Sequence, residues 1–488
     1  MFRMLFIMLL FCGVVCAQEP SVTVRETGPL PSPESLHYPP LHPIQIPNPT
    51  VVTLSNGMKV YLLEDHELPV VRGSMLIRTG NLFDPKEKRG LATLTGITLR
   101  SGGSAHMPPE ELNEKLENMA ASVETSIDES AGRASFHCLK ENTDAVLTLF
   151  RDVITTPDFE QDKIDLAKLQ LKSSISRRND DAAGIASREI YRLVYGPDTP
   201  YGGEEEYATV NAVRRADIAG FYRRYFFPAN ILMSVYGDFS IPEMRKKLET
   251  VFGSWTVTQP KVPAFPKVDA KAAPGIFFVD KTDVDQTFFQ MGELGGEIRD
   301  KDYAALSVAA DVLGAGFSSR LMREVREHLG YAYDISADWD ADFSHPGIFA
   351  ISGSTKSQST AETIDATLNQ IDKMRTTEIS DQELKTAKDA ALNSIVFDFE
   401  RPSSTLSRLV TYDYFGYPED FLTEYEEAVA RVTKADVLRV AKEHFRPELL
   451  TIVAVGNQAN IGRPLNTLSR PVQALDITIP PEAKSGSQ

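Results

Sequence analysis

The histidines and cysteines of this chain, the side chains that most readily bind a metal or attack a carbonyl, are few and poorly spaced for either task. Its eight histidines are His37, His42, His66, His106, His137, His328, His345 and His444. No two stand three or four residues apart, the spacing that puts two imidazoles on one helix face. His37 and His42 lie in a proline-rich stretch where no regular helix fixes their directions, and His106 reads as a loop residue. Of three cysteines, Cys12 and Cys16 fall in an N-terminal leader, which leaves Cys138 in the alternating stretch ASFHCLK. That pattern makes it a buried small hydrophobe rather than a nucleophile, and no intramolecular disulfide is possible. No G-x-S-x-G elbow occurs. The loop GAGFSSRL, residues 314–321, lacks the Gly-Lys-Ser/Thr ending of a phosphate loop; it reads as helix punctuation with Ser318 as a cap.

Two segments remain. GLATLTGITLRSGG, residues 90–103, reads as a helix whose side chains offer little beyond hydroxyls. MREVREHLGYAYDI, residues 322–335, closes a helix from about 318 to 329, turns at Gly330 and enters a strand. Arg326 there suits the last turn of a helix, while Arg320 with Glu324 and Arg323 with Glu327 have the spacing of surface ion pairs. Tyr331, Tyr333 and Ile335 alternate onto one strand face, where core packing alone would account for the rings.

The elements that must position these residues repeat. ADIAGFYRRYFFPANILMSVYG, residues 216–237, lies without a gap on ADVLRVAKEHFRPELLTIVAVG, residues 435–456. Each copy predicts a capped helix, a proline turn and a buried strand ended by glycine. Between them TVTQPKVPAFPKVDAKAAPG carries four prolines and no apolar periodicity, a stiff linker suited to holding two lobes apart. Strands and helices mix without strict alternation, which predicts an α+β fold of two homologous layered halves in a clamshell-like arrangement. The expected segments are a signal peptide at 1–17, a Pro-rich arm at 18–49, a first domain at 50–255, the linker at 256–275, a second domain at 276–460 and a tail at 461–488.

At 488 residues the chain exceeds one ordinary core. A formal charge of -17 opposes binding to phosphate backbones, so nucleic acid is not an expected partner. Arg3, the apolar run from Met4 to Val15 and the small residue Ala17 form an export signal with Gln18 as the mature start. Lipid attachment at Cys16 is the alternative. The run is too short for a permanent membrane span, and a periplasmic location is expected.

Taken together, the two-half layout, the linker, the GLA entry to a helix and the SSRL…EVREHLGYAY segment resemble the pitrilysin/insulinase family of zinc peptidases, chiefly its shorter, processing-peptidase-like members. The likeness spans residues 51–457. It implies an H-x-x-E-H motif on the helix after GLA, with two imidazoles for zinc, a glutamate to activate water and a distant glutamate as third ligand. The matching positions are Thr93, Gly96 and Ile97, and the third ligand falls at Ser174, so all four roles are missing and no zinc or other cofactor is expected on this chain. The resemblance also implies that the second half supplies an Arg and a Tyr to the scissile peptide. Arg326 and Tyr333 match them, with Tyr331 and Arg320 as neighbouring substrate-binding candidates; which tyrosine faces the cleft stays open. Such donors are worth about 2.7–4 kcal/mol each to a developing oxyanion. The chain is therefore expected to be inactive alone and to act as the non-catalytic, peptide-binding subunit of an exported heterodimer whose partner holds zinc. The alternative is a scaffold homologue with no part in proteolysis.

Overall fold

The computed structural model describes Ser35, residues 48–398 and residues 401–482. The expected leader, and all of the arm except Ser35, Asn48 and Pro49, lie outside the described residues.

The first half runs β1 (Thr50–Thr53), β2 (Lys59–Glu64), β3 (Val70–Ile77), α1 (Leu91–Ser101), α2 (Pro109–Asn118), β4 (Ser122–Ile127), β5 (Gly132–Leu139), α3 (Thr143–Thr155), α4 (Gln161–Arg177), α5 (Ala182–Tyr195), α6 (Tyr207–Ala212), α7 (Arg215–Tyr225), β6 (Ile231–Gly237) and α8 (Ile241–Phe252). The second runs β7 (Gly275–Asp280), β8 (Gln286–Leu294), α9 (Tyr303–Gly314), a π-helix (Met322–His328), β9 (Ala332–Asp340), β10 (Ile348–Lys356), α10 (Thr360–Thr376), α11 (Asp381–Asp398), α12 (Pro402–Phe415), α13 (Phe421–Arg431), α14 (Lys434–His444), β11 (Thr451–Gly456) and β12 (Val472–Ala474). From β2 to β6 and from β7 to β11 the two lists match element for element, with the π-helix in the place of α2.

Each half builds a six-stranded mixed sheet, ordered β1-β2-β6-β3-β5-β4 and β12-β7-β11-β8-β10-β9. The five shared strands have the same order; only the added edge strand differs, β1 pairing antiparallel with β2 and β12 parallel with β7. The repeat seen in sequence is α7–β6 and α14–β11. Thr433 and Asp436 close a capping box at the start of α14, and Gly237 and Gly456 end their strands where an added Cβ would meet Val70 O at 2.1 Å or Thr287 Oγ1 at 2.5 Å.

Each sheet packs its own helices over one apolar core. Its opposite face is covered by a helix from the other half. Ile185, Ile190 and Val194 of α5 join Val279, Ile348, Val453 and Val455 of the second sheet, while Leu406, Val410 and Tyr414 of α12 join Tyr61 and Leu76 of the first. Tyr414 Oη also donates to Ser130 O at 2.6 Å. Burying these residues removes apolar area from water on both sides of each sheet. The proline-rich linker is not a free spacer: Phe265 stacks on Phe83 at 5.4 Å beneath Arg78, and Arg224 donates to Pro260 O. No helix among the described residues is long and apolar enough to cross a membrane.

Candidate functional site

α1 is held by a residue outside it. The Asp84 carboxylate accepts from Gly90 N and Ala92 N, both at 2.9 Å, capping the orphan amides where a negative charge suits the helix dipole. Burial pushes the Asp84 carboxyl up to about 7 in spite of those two donors. Leu91, Ala92, Leu94, Thr95, Thr98 and Leu99 are buried, and the Thr95 and Thr98 hydroxyls donate back to Leu91 O and Leu94 O.

On this helix Thr93 donates to Glu205 Oε1 at 2.8 Å, and burial raises the Glu205 carboxyl although that bond opposes it. Gly96 touches strand backbone. A Cβ there would stand 2.4 Å from Ile127 N and 2.7 Å from Ser126 C, and Thr125 Oγ1 donates to Gly96 O at 2.7 Å. Ile97 packs half-buried against the first core. Ser174 is exposed on α4 and its hydroxyl bonds Gln170 O within its own helix. Zinc takes thiolate, imidazole or carboxylate ligands, so these four residues do not fit it, and the backbone contact at Gly96 leaves no room for the glutamate that would activate water. Among the described residues one trio of metal-type side chains converges, Asp302, Glu443 and His444, but Arg439 already bonds both Asp302 oxygens.

The second-half residues separate into two roles. Arg320 makes a fork of bonds to Glu383 of α11, at 2.8 and 3.2 Å, and Arg323 reaches the same carboxylate. Burial opposes ionisation of Glu383, but the Arg320 guanidinium and the Ser380 amide outweigh it and hold the carboxyl near about 2. The i, i+4 pairings with Glu324 and Glu327 are thus replaced by a partner some sixty residues on, and Arg320 ties the stretch after α9 to α11. Its side chain is only 13% exposed.

Arg326 is placed differently. Its guanidinium lies 5.1 Å from the Tyr333 ring and 5.4 Å from the Phe317 ring, a cation between two π faces. Tyr333 is 76% exposed and Phe317 72%, well beyond what packing requires of such rings. No carboxylate pairs with Arg326 among the described residues. Two backbone irregularities aim this group. The predicted α-helix at 318–329 is a π-helix from Met322, closed by Leu329 N on Glu324 O, a geometry that recurs at functional sites. In β9 the register against β10 skips Tyr333, so Ser354 faces Asp334 and Thr355 faces Ala332. This bulge turns Tyr333 outward while Ile335 stays buried, and the expectation that Tyr331, Tyr333 and Ile335 share one face fails for that reason. Tyr331 packs half-buried on the second core, its N–H on Val325 O and its carbonyl accepting from Thr355. Ser319, not Ser318, accepts from Met322 N, at 3.4 Å.

Sequence reasoning missed Asp84, Glu205 and Phe317. The first two line a cleft of ≈ 180 Å³ at the start of α1 with Arg89, Glu129 and Tyr201; the acidic run GGEEEY was the available signal. A phenylalanine set between glycine and serines was the signal for the third. Cys138 is buried beside Val71 O, and burial pushes its thiol up to about 11.

Two family models match the chain: insulinase (peptidase family M16) over residues 59–196 and the peptidase M16 inactive domain over residues 212–391. The chain is 24% identical over 406 residues to the "Non-peptidase homolog YmxG" of Helicobacter pylori, covering 81% of this chain and 91% of that protein. It is 22% identical over 413 residues to an "Uncharacterized zinc protease" of Rickettsia felis, covering 82% and 95%. The crystal structure of a peptidase M16 inactive domain from Pseudomonas fluorescens matches with a TM-score of 0.75 at 22% identity, over 86% of this chain and 100% of that one. A protease structure from Helicobacter pylori gives 0.72 at 20%, over 84% and 99%. Both share the fold.

Proposed function

The chain belongs to the insulinase (M16) family, and from that premise we propose that it is the non-catalytic, peptide-binding subunit of an exported zinc peptidase. A homologue bearing H-x-x-E-H holds the metal, and this chain binds no cofactor of its own. The observation that carries the reading is Arg326, a guanidinium with no acidic partner among the described residues, held beside the exposed rings of Tyr333 and Phe317. A surface that leaves two large rings and an unneutralised cation in water suits a substrate's carbonyl oxygens and apolar side chains. The similarity to a non-peptidase homologue of Helicobacter pylori supports the absence of catalysis by this chain alone. Export rests on the leader pattern at 1–17.

The test is a reconstitution. The purified chain takes up no stoichiometric zinc and cleaves no peptide, and adding a zinc-bearing homologue yields chelator-sensitive cleavage. Arg326→Ala and Tyr333→Phe then lower turnover of the mixture without weakening its assembly. Unchanged turnover in both variants assigns the chain to the scaffold role.

A further inference from the structure

The tail at 461–482 crosses from one half of the molecule to the other. β12 lies on the outer edge of β7, the position that β1 holds on β2 in the first half. Ile276 N donates to Pro471 O and Leu475 N to Phe278 O, both at 2.8 Å. The chain then leaves the sheet. Leu475, Ile477 and Ile479 turn inward and half-bury, while Asp476, Thr478 and Pro480 face solvent, the period-two pattern of an extended segment lying on a surface. Leu475 and Ile477 rest on the α5 cluster, Ile479 rests on the first-half core, and Glu482 Oε1 accepts from Lys172 Nζ of α4 at 2.8 Å and Asn211 Nδ2 of α6 at 2.9 Å.

Its path passes the point where the halves trade helices. α5 packs on the second sheet and α4 on the first core, so residues 178–181 between them are a crossing from one body to the other. Asn179 ties that crossing to its surroundings. Its Nδ2 donates to Ile477 O at 2.7 Å, its Oδ1 accepts from Arg188 at 2.9 Å, and its carbonyl accepts from Lys281 of the second half at 3.3 Å.

We propose that residues 475–482 are a latch that holds the α4–α5 crossing closed and can leave it while both halves stay folded. No side chain in the segment is fully buried. Its hold on the first half consists of the bonds from Asn179 and Asn211, the half-buried contacts of Leu475, Ile477 and Ile479, and an ion pair whose side chains are 25% and 47% exposed. Each half, by contrast, keeps a core of fully buried residues. Opening therefore takes place locally, at a free energy far below that of global unfolding, and salt favours it by screening the Lys172–Glu482 pair. The proposal does not depend on peptide binding.

Amide hydrogen exchange on the full chain tests it. Ile477→Asp with Ile479→Asp raises exchange at 172–181 by about tenfold or more, while the β6 and β11 amides keep the parent rate. Glu482→Lys gives a smaller rise at the same residues, and adding Lys172→Glu to it restores the parent rate. Unchanged exchange at 172–181 overturns the latch. So does a rise spread evenly over both sheets together with failure of the charge reversal to restore protection, which makes the tail a contributor to general stability instead.

Discussion

α1 of the first half and the segment from Phe317 to Tyr333 of the second each lie beside the edge strand of their own sheet, and they have gone opposite ways. In α1 the threonine hydroxyls are all bonded, Thr95 and Thr98 to the preceding turn and Thr93 to Glu205, and Gly96 lets the helix settle onto β4 backbone. The second half makes a similar contact at the end of α9, where a Cβ on Gly314 would stand 2.1 Å from Ala337 N of β9. α1 has thus taken the same close approach of helix to edge strand. The stretch after α9 does the reverse, with a π-helix, a strand bulge and two rings left in water. Regular packing accompanies the satisfied hydroxyls of α1, and irregular backbone accompanies the exposed rings and guanidinium of the second half.

The largest effect should come from refilling the first site. Gly96→Glu drives a Cβ into the Ser126–Ile127 backbone, and denaturant titration is expected to find a loss of about 3 kcal/mol; a neutral result would mean that α1 can lift from β4 and that the packed state is not what excludes the glutamate. Next in size, Arg320→Ala removes the fork on Glu383, which keeps Arg323 and Ser380, and should cost about 1–2 kcal/mol, less than a fully buried pair because water and those partners still reach the carboxylate. Arg320→Ala should leave Arg326 and its two rings in place, so the peptide affinity proposed for that surface is unchanged in the folded fraction.

A smaller effect, read by pH, should be shared by α1 and α9. An acid with a higher pKa folded than unfolded binds more protons in the native state between those values, so its contribution to stability falls as pH rises from its ordinary 3.8 toward about 7. Asp84→Asn keeps an acceptor for the α1 amides and should flatten that part of the melting-temperature profile. Asp311 of α9, pushed up to about 7 by burial and by Asp338, should behave alike when replaced by Asn. A profile whose slope persists in both variants would assign the pH dependence elsewhere. The smallest effect belongs to Arg326→Ala, expected within about 0.5 kcal/mol of parent stability because the side chain braces nothing.

Much of this was legible in the sequence where the cause was local. Asn56-Gly57 makes the β1–β2 hairpin, with Gly57 at φ 90, and the match of residues 216–237 to 435–456 announced two halves of one topology. What stayed hidden was set by residues far along the chain. Arg320 finds Glu383, Thr93 finds Glu205, and the α1 amides find Asp84, none of which a helical period can disclose. The bulge that exposes Tyr333 depends on register with Ser354 and Thr355 of β10, and alternation read along β9 alone gives the wrong face. The traded helices were hidden for the same reason, since nothing in Ala182–Tyr195 says which sheet its apolar stripe will meet.

That trade has a consequence for synthesis. When the ribosome has completed β6, the first sheet can close its hydrogen bonds, but Tyr61 and Leu76 remain bare until Leu406 and Val410 emerge much later. The nascent first half is therefore a sticky intermediate for most of translation. A chain cut in the linker and expressed as two pieces should yield soluble material only when both pieces are made together.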